Sequence, residues 1–292
     1  MKHPIDALID DARELTRRAL SVVPAPAAVD WAACPAAVWQ SGLLGAGFVA
    51  HGSLDDIGLD DLMWIDDQKA QIDLNTRQFL AGLPANNVLL WGSRGTGKSS
   101  LVHALLNRYA EDGLRLVEVS KHDLAALPRI VRRLRDAPYR FVLFCDDLSF
   151  EADDASYKEL KSALEGSMFK TSGNVLIYAT SNRRHLLPEY ASDNQHTVVR
   201  EGELHESEAV EEKISLSDRF GLWLSFYPFR QDAYLDVVGH WVSRLAQRHG
   251  LDFTWNDEVR AAALRWALAR GVRSGRTAQH FARHWVGKSL LD

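Results

Sequence analysis

The chain has 292 residues, enough for one large domain or two smaller ones. Hydrophobic residues make up 46% and charged residues 25%, the balance of an ordinary soluble globular protein. A net charge of −5 argues against long-range attraction of the whole molecule to nucleic acid, and only two cysteines, Cys34 and Cys145, exclude a disulfide framework or a thiolate metal centre. No apolar run reaches the ~20 residues of a membrane span. Met1 to Pro4 leads into a charged amphipathic segment rather than a secretory leader, so a cytoplasmic protein with no membrane partner is expected.

Residues 1–53 read as an extension. Ile5, Leu8, Ile9, Ala12 and Leu15 lie at helical spacing, predicting a helix over 4–20 whose apolar face packs on its own domain or on a partner. A Pro/Ala-rich stretch follows from Pro24 to Pro35, and Gly42, Gly45 and Gly47 then loosen the chain. Residues 67–81 repeat a helical pattern, with Ile72, Phe79 and Leu80 apolar. Pro84-Ala85-Asn86-Asn87 turns the chain into a short apolar run, Val88 to Trp91, that reads as a buried strand.

Gly92 to Ser100 reads GSRGTGKSS and fits the phosphate-binding pattern G-x-x-x-x-G-K-[ST]. Leu101, Leu105 and Leu106 recur at helical spacing behind it, so the loop joins a strand to a helix, as the motif requires. Gly92, Gly95 and Gly97 let the backbone of Ser93, Arg94, Thr96 and Ser100 curl around a phosphate, and the helix start adds its dipole. Lys98 supplies a charge for the outer phosphates, and the Ser99 hydroxyl is placed for magnesium. The expected ligand is a nucleoside triphosphate.

Beyond the loop, strands at Leu114–Val119, Phe141–Cys145, Val175–Thr180 and Leu222–Phe226 alternate with helices at Leu124–Arg135, whose outer face is basic, and Ala155–Met168. Apolar strands separated by helices imply a parallel sheet covered on both faces, a three-layer α/β domain over 54–228. An acidic insert at about 189–215 interrupts it, and could be a solvated loop or a partner-binding one. From Gln231 onward only helical patterns occur: Ala233–His249, Trp255–Arg270 and Thr277–Lys288, the last with a threonine cap. They form a small helical unit over 229–292.

Asp146 and Asp147 end the strand Phe141–Cys145, where a carboxylate can hold magnesium. Asp146 is the metal candidate. Asp147 is placed to orient or deprotonate an attacking water, with Glu151 in reserve. Asn182, after the next strand, is either a turn residue or an amide facing the water or the γ-phosphate. Arg219, in Ser217-Asp218-Arg219-Phe220-Gly221, is either a solvated arginine or a finger reaching a neighbouring subunit's site. Arg276 opens the last helix and would swing over the γ-phosphate if the helical unit closes, with Arg273 near enough to compete for that role.

Taken in order, GSRGTGKSS, FVLFCDD, YATSN, SDRFG and SGRTAQHF resemble the AAA+ ATPases, over about residue 54 to the C-terminus. The resemblance implies Walker A at Lys98 and Ser99, Walker B at Asp146 and Asp147, the first sensor at Asn182, the arginine finger at Arg219 and the second sensor at Arg276. It also implies strand order 5-1-4-3-2 with a helical lid, and an adenine cradle in Leu62 to Gln68 that includes Ile65. More narrowly, PANNVLLWGSRGTGKSS, LFCDDLSFE and RSGRTAQHF resemble a bacterial AAA+ family known as a domain of unknown function, in which glycine tends to stand where this chain has Trp64. The SDRFG box is similar to that of replication initiators and helicase loaders. The implied activity is hydrolysis of ATP with Mg2+ by a homo-oligomer that remodels or loads a protein or nucleic-acid client. A shorter acid at Asp147 leaves open a binding switch with little hydrolysis, and fold alone leaves open a small-molecule kinase.

Overall fold

The structure is a computed structural model. It describes Glu14 and residues 29–42, 45–52, 55–150, 154–165, 173–184, 186, 198–200, 203–205 and 218–291. The expected helix over 4–20, Glu151 and most of the acidic insert lie outside the described residues.

The strands are β1 (Ala36–Gly42), β2 (Gly45–Ala50), β3 (Val88–Gly92), β4 (Leu114–Glu118), β5 (Arg140–Cys145), β6 (Val175–Ser181) and β9 (Leu222–Phe226), with a separate pair, β7 (Val198–Arg200) and β8 (Glu203–His205), inside the insert. Seven form one sheet in the order β2-β1-β4-β5-β6-β3-β9. Every neighbouring pair in it is parallel except β1 and β2. The five strands from β9 to β4 therefore run 5-1-4-3-2, as expected. The correction lies at the edge. Residues 36–42 and 45–50, expected as loosened chain, pair as antiparallel strands that extend the sheet beside β4. Their glycines sit at the turn and in the second strand, where an apolar run of small residues hid the period-2 alternation.

Seven helices are described: α1 (Asp66–Leu80), α2 (Lys98–Tyr109), α3 (Leu127–Leu134), α4 (Ala155–Glu165), α5 (Gln231–Arg248), α6 (Asp257–Arg270) and α7 (Gly275–Ser289). The stretch expected as one helix from Leu124 is split, with a 3-10 turn over Lys121–Ala126 ahead of α3. The cap of α7 is Ser274 rather than Thr277: its hydroxyl accepts the Thr277 N–H at 3.2 Å.

Strand pleating sorts the core into two layers. Val88, Leu90, Val142 and Phe144 point to one face and pack with α1, α2 and α5 to α7. Leu89, Phe141, Leu143 and Cys145 point to the other and pack with α3 and α4. The helical tail thus shares one apolar cluster with the sheet that carries the phosphate loop. Burial pushes the Cys145 thiol up to about 12, so it stays protonated and both cysteines are free. Tyr178, buried in β6, pins α1 to the sheet through the Thr76 hydroxyl (2.9 Å) and the Asn75 amide (3.2 Å). Asn75 also donates to the Asn86 carbonyl and accepts the Asn86 N–H, both at 2.9 Å, and so fixes where β3 begins. A Cβ on Gly221, just before β9, would stand 2.3 Å from Asn86 Oδ1, so a larger residue there would displace the Asn86 side chain.

Candidate nucleotide site

The loop after β3 is held open by backbone geometry that only glycine adopts cheaply. Gly92 has φ 126° and a Cβ there would lie 2.0 Å from the Phe226 carbonyl oxygen. Close approach lets the Ser93 N–H donate to that same oxygen (3.0 Å), tying the loop to β9. Gly97 has φ 101° and immediately precedes α2, which starts at Lys98. Thr96 is buried and its hydroxyl donates to the Ser93 carbonyl at 2.8 Å, closing the curl.

Lys98 is only 7% exposed. Its ammonium donates to the carbonyls of Gly92 (2.7 Å) and Ser93 (2.8 Å) and to Asn182 Oδ1 (3.3 Å). Burial pulls its pKa down to about 8. Asp146 and Asp147 oppose that fall, and Arg276 and Arg94 add to it. Three cationic side chains thus converge on one cavity, an arrangement that an anionic ligand relieves.

The two acids are linked by residues of β6 and the turn after it. Asp146 Oδ1 accepts the Ser99 hydroxyl at 2.7 Å and the Thr180 hydroxyl at 2.5 Å. Thr180 Oγ1 in turn accepts the Asp147 N–H at 2.8 Å. Asn182 donates its amide to Asp147 Oδ1 while its own oxygen faces Lys98. Asp147 has φ 52°, a left-handed conformation that aspartate tolerates better than most residues. Ser99 and Asp146 are the oxygen donors suited to magnesium, and the cavity is suited to a triphosphate.

That cavity is about 450 Å³. Arg94 to Ser100, Asp146, Asp147, Asn182, Ile65 and Arg276 all line it. Gly92, Ser93 and Arg219 are not among its lining residues. The first two act beneath the loop through their carbonyls, and Arg219 stands half-buried on the turn before β9. Arg273 also stays out of the lining, which separates it from Arg276. Leu62, Met63, Ile65 and Phe229 give the cavity an apolar wall for a flat ring. Between them Trp64 points away, 54% exposed, at φ 64°. Glycine adopts such a left-handed φ at less cost than tryptophan does.

The helical tail meets the loop directly. The Arg276 N–H donates to the Gly95 carbonyl at 3.2 Å. A Cβ on Gly95 would stand 2.8 Å from Ser274 Oγ. Two features of the site had no sequence signal. Thr180 stood in the strand end YATSN as one more polar residue, yet it fixes both acids. Asp61, 9% exposed, accepts the Gly58 N–H (2.7 Å), meets His240 Nε2 (2.9 Å) and pairs with the Arg244 guanidinium. Burial works against the Asp61 charge, but Gly58, His240 and Arg244 together hold its carboxyl below the usual range. Asp61 and Trp241 both line the cavity, so this ion pair fastens α5 to its rim.

No curated protein matches the chain. Among solved structures it is similar to the Thermotoga maritima RuvB Holliday junction branch migration motor, at 19% identity and a TM-score of 0.50 over 77% of this chain and 63% of that one. It is also similar to the Aeropyrum pernix ORC1 protein in complex with DNA, at 15% identity and a TM-score of 0.52 over 74% of this chain and 57% of that one. The chain therefore spans about three-fifths of the length of these neighbours, and the likeness is one of fold. Among the described residues no helix is long and apolar enough to cross a membrane. The fold is that of the AAA+ ATPases. With residues 32–289 matched, the chain belongs to the family described as "Protein of unknown function (DUF815)".

Proposed function

We propose that the protein binds ATP with magnesium in this cavity and hydrolyses it, as a homo-oligomer acting on a protein or nucleic-acid client in the cytoplasm. The observation that carries this reading is the join made by Asn182. One amide spans from Lys98, the phosphate ligand, to Asp147, the general-base candidate. On this reading Lys98 and the backbone of the loop hold the phosphates, while Ser99 and Asp146 hold magnesium, which supplies charge neutralisation on the phosphoryl oxygens. Ile65 packs on the adenine, and Arg276 reports nucleotide state to the helical tail. Arg219, which does not line its own cavity, serves a neighbouring copy. The fold neighbours, a branch migration motor and a protein in complex with DNA, favour a macromolecular client over a small-molecule acceptor.

Arg219→Ala is expected to leave ATP affinity intact and to lower turnover by about 10³ or more. Specific activity of the wild type should also rise with protein concentration. Unchanged turnover in the folded variant would refute the intersubunit site. A binding switch with little hydrolysis is the second reading. It is favoured by the engagement of the short Asp147 carboxylate with Asn182, and it predicts tight ATP binding with turnover near background at every concentration.

A further inference from the structure

The net charge is negative, but the outer face of α3 is not. Arg129, Arg132, Arg133 and Arg135 are all exposed within seven residues. Spacings of three and four place 129, 132 and 133 on one side of the helix, with 135 continuing it. Arg129 and Arg133 lie over the buried Trp39 ring of β1, at 5.8 and 5.3 Å from its centroid. Arg133 also donates to the Ala46 carbonyl of β2 at 3.0 Å. Arg132 and Arg135 have no ion-pair partner among the described residues. The sheet-edge hairpin beside them has no charged residue anywhere from Trp31 to Ala50, so it offers no carboxylate to neutralise the row. Asp136 is the acid that follows on the chain.

We infer that α3 and the β1–β2 hairpin form a docking face for the phosphate backbone of a nucleic acid. Guanidinium groups match phosphate with two parallel hydrogen bonds, and two of these four are already held in place by an aromatic ring, so less freedom is lost on binding. The row spans about 9 Å of helix at 1.5 Å per residue, a length over which the two strands of a duplex present about five phosphates, enough for one to each of the four arginines. A membrane surface is a poorer match, because among the described residues Val49 of β2 is the one exposed large apolar side chain on α3 and the two strands, too small an apolar face to enter lipid. Contacts to phosphate fix position without reading base edges, so the contact is independent of sequence. It supplies a client class for the ATPase reading and rests on that reading only for the use made of the binding.

The test is fluorescence anisotropy with a labelled DNA duplex of about three helical turns, without nucleotide, on wild type, Arg132→Ala/Arg135→Ala and Arg132→Lys/Arg135→Lys. Neutralising four phosphates gives a log–log salt slope of about −3.6, a loss of roughly a hundredfold between about 50 and 200 mM salt. The alanine pair should lose only about tenfold over that range, with a slope shallower by about 2, and the lysine pair should recover the wild-type slope. Absence of duplex binding by the wild type at low salt overturns the inference, as does an unchanged slope in the alanine pair. So does displacement of the duplex by phosphatidylserine vesicles or polyglutamate as effectively as by unlabelled duplex at equal charge. ATP binding and turnover measured on the same proteins separate the two readings. Lost duplex binding with intact turnover removes this face alone, and duplex binding without turnover removes the ATPase alone.

Discussion

Raising the pH should move folding stability and ATP affinity in opposite directions, because both depend on one proton. The Lys98 pKa falls from 10.5 to about 8 through burial beneath the phosphate loop. At about 1.4 kcal/mol per pH unit this corresponds to roughly 3 kcal/mol against the charged form. Below about pH 8 the lysine is charged in both folded and unfolded chains, and the full penalty is present. Between about 8 and 10.5 the unfolded chain holds the proton and the folded chain does not, so stability rises with pH across that window. A bound triphosphate reverses the preference, since the ammonium then faces anionic oxygens. ATP affinity should therefore fall about tenfold per pH unit above 8, with proton uptake on binding. Isothermal titration calorimetry at pH 8.5, in two buffers of different ionisation enthalpy, measures that uptake. Urea titrations at pH 7.5 and 9.5 measure the stability arm against Lys98→Met, which removes the titrating group and should flatten both trends. ATP affinity that stays level from pH 7 to 9.5 in the wild type would refute the buried-lysine argument.

The remaining predictions concern the frame of the site. Asp61→Asn leaves Arg244 without its buried partner and should cost about 3 kcal/mol, lowering the melting midpoint by roughly 6 °C. A double-mutant cycle with Arg244→Met that shows no coupling would remove the latch between α5 and the rim. Gly92→Ala drives a Cβ against the Phe226 carbonyl at 2.0 Å, whereas Gly173→Ala meets no atom within 4 Å although its φ is also positive, at 58°. The first should cost over 3 kcal/mol and abolish ATP binding. The second should cost about 1 kcal/mol and leave ATP binding alone, and equal urea midpoints would contradict the packing argument. Asp147→Asn should keep ATP affinity within about twofold and cut turnover about 10²-fold or more; turnover at the wild-type level would shift the general base elsewhere.

Much of the site was legible because its parts are local. The phosphate loop is nine consecutive residues whose glycines answer to φ, and Asp146 and Asp147 mark a strand end that burial makes conspicuous. Arg276 and Arg273 could not be separated on the chain; in the fold Arg276 lines the cavity and its backbone N–H reaches Gly95, whereas Arg273 stays out of the lining. The hairpin over 36–50 was read as loose chain because small residues and glycines blur alternation. Pairing of β1 with β4, and of β2 with β1, gives those strands their conformation.

From the sequence alone came the phosphate loop, the alternation of buried strands and helices, and the order of motifs along the chain, all of which depend on neighbours in the chain and on side-chain period. Tertiary structure decided the rest. Thr180 became the hinge of the acid pair by meeting Asp146 from 34 residues away. Asp61 acquired a partner in His240 at a separation of 179 residues. The arginines of α3 lie over Trp39 because the sheet edge brings an N-terminal strand beneath a later helix. Such contacts carry no local signature, since any polar residue or arginine at those positions looks solvated until folding brings a partner within reach.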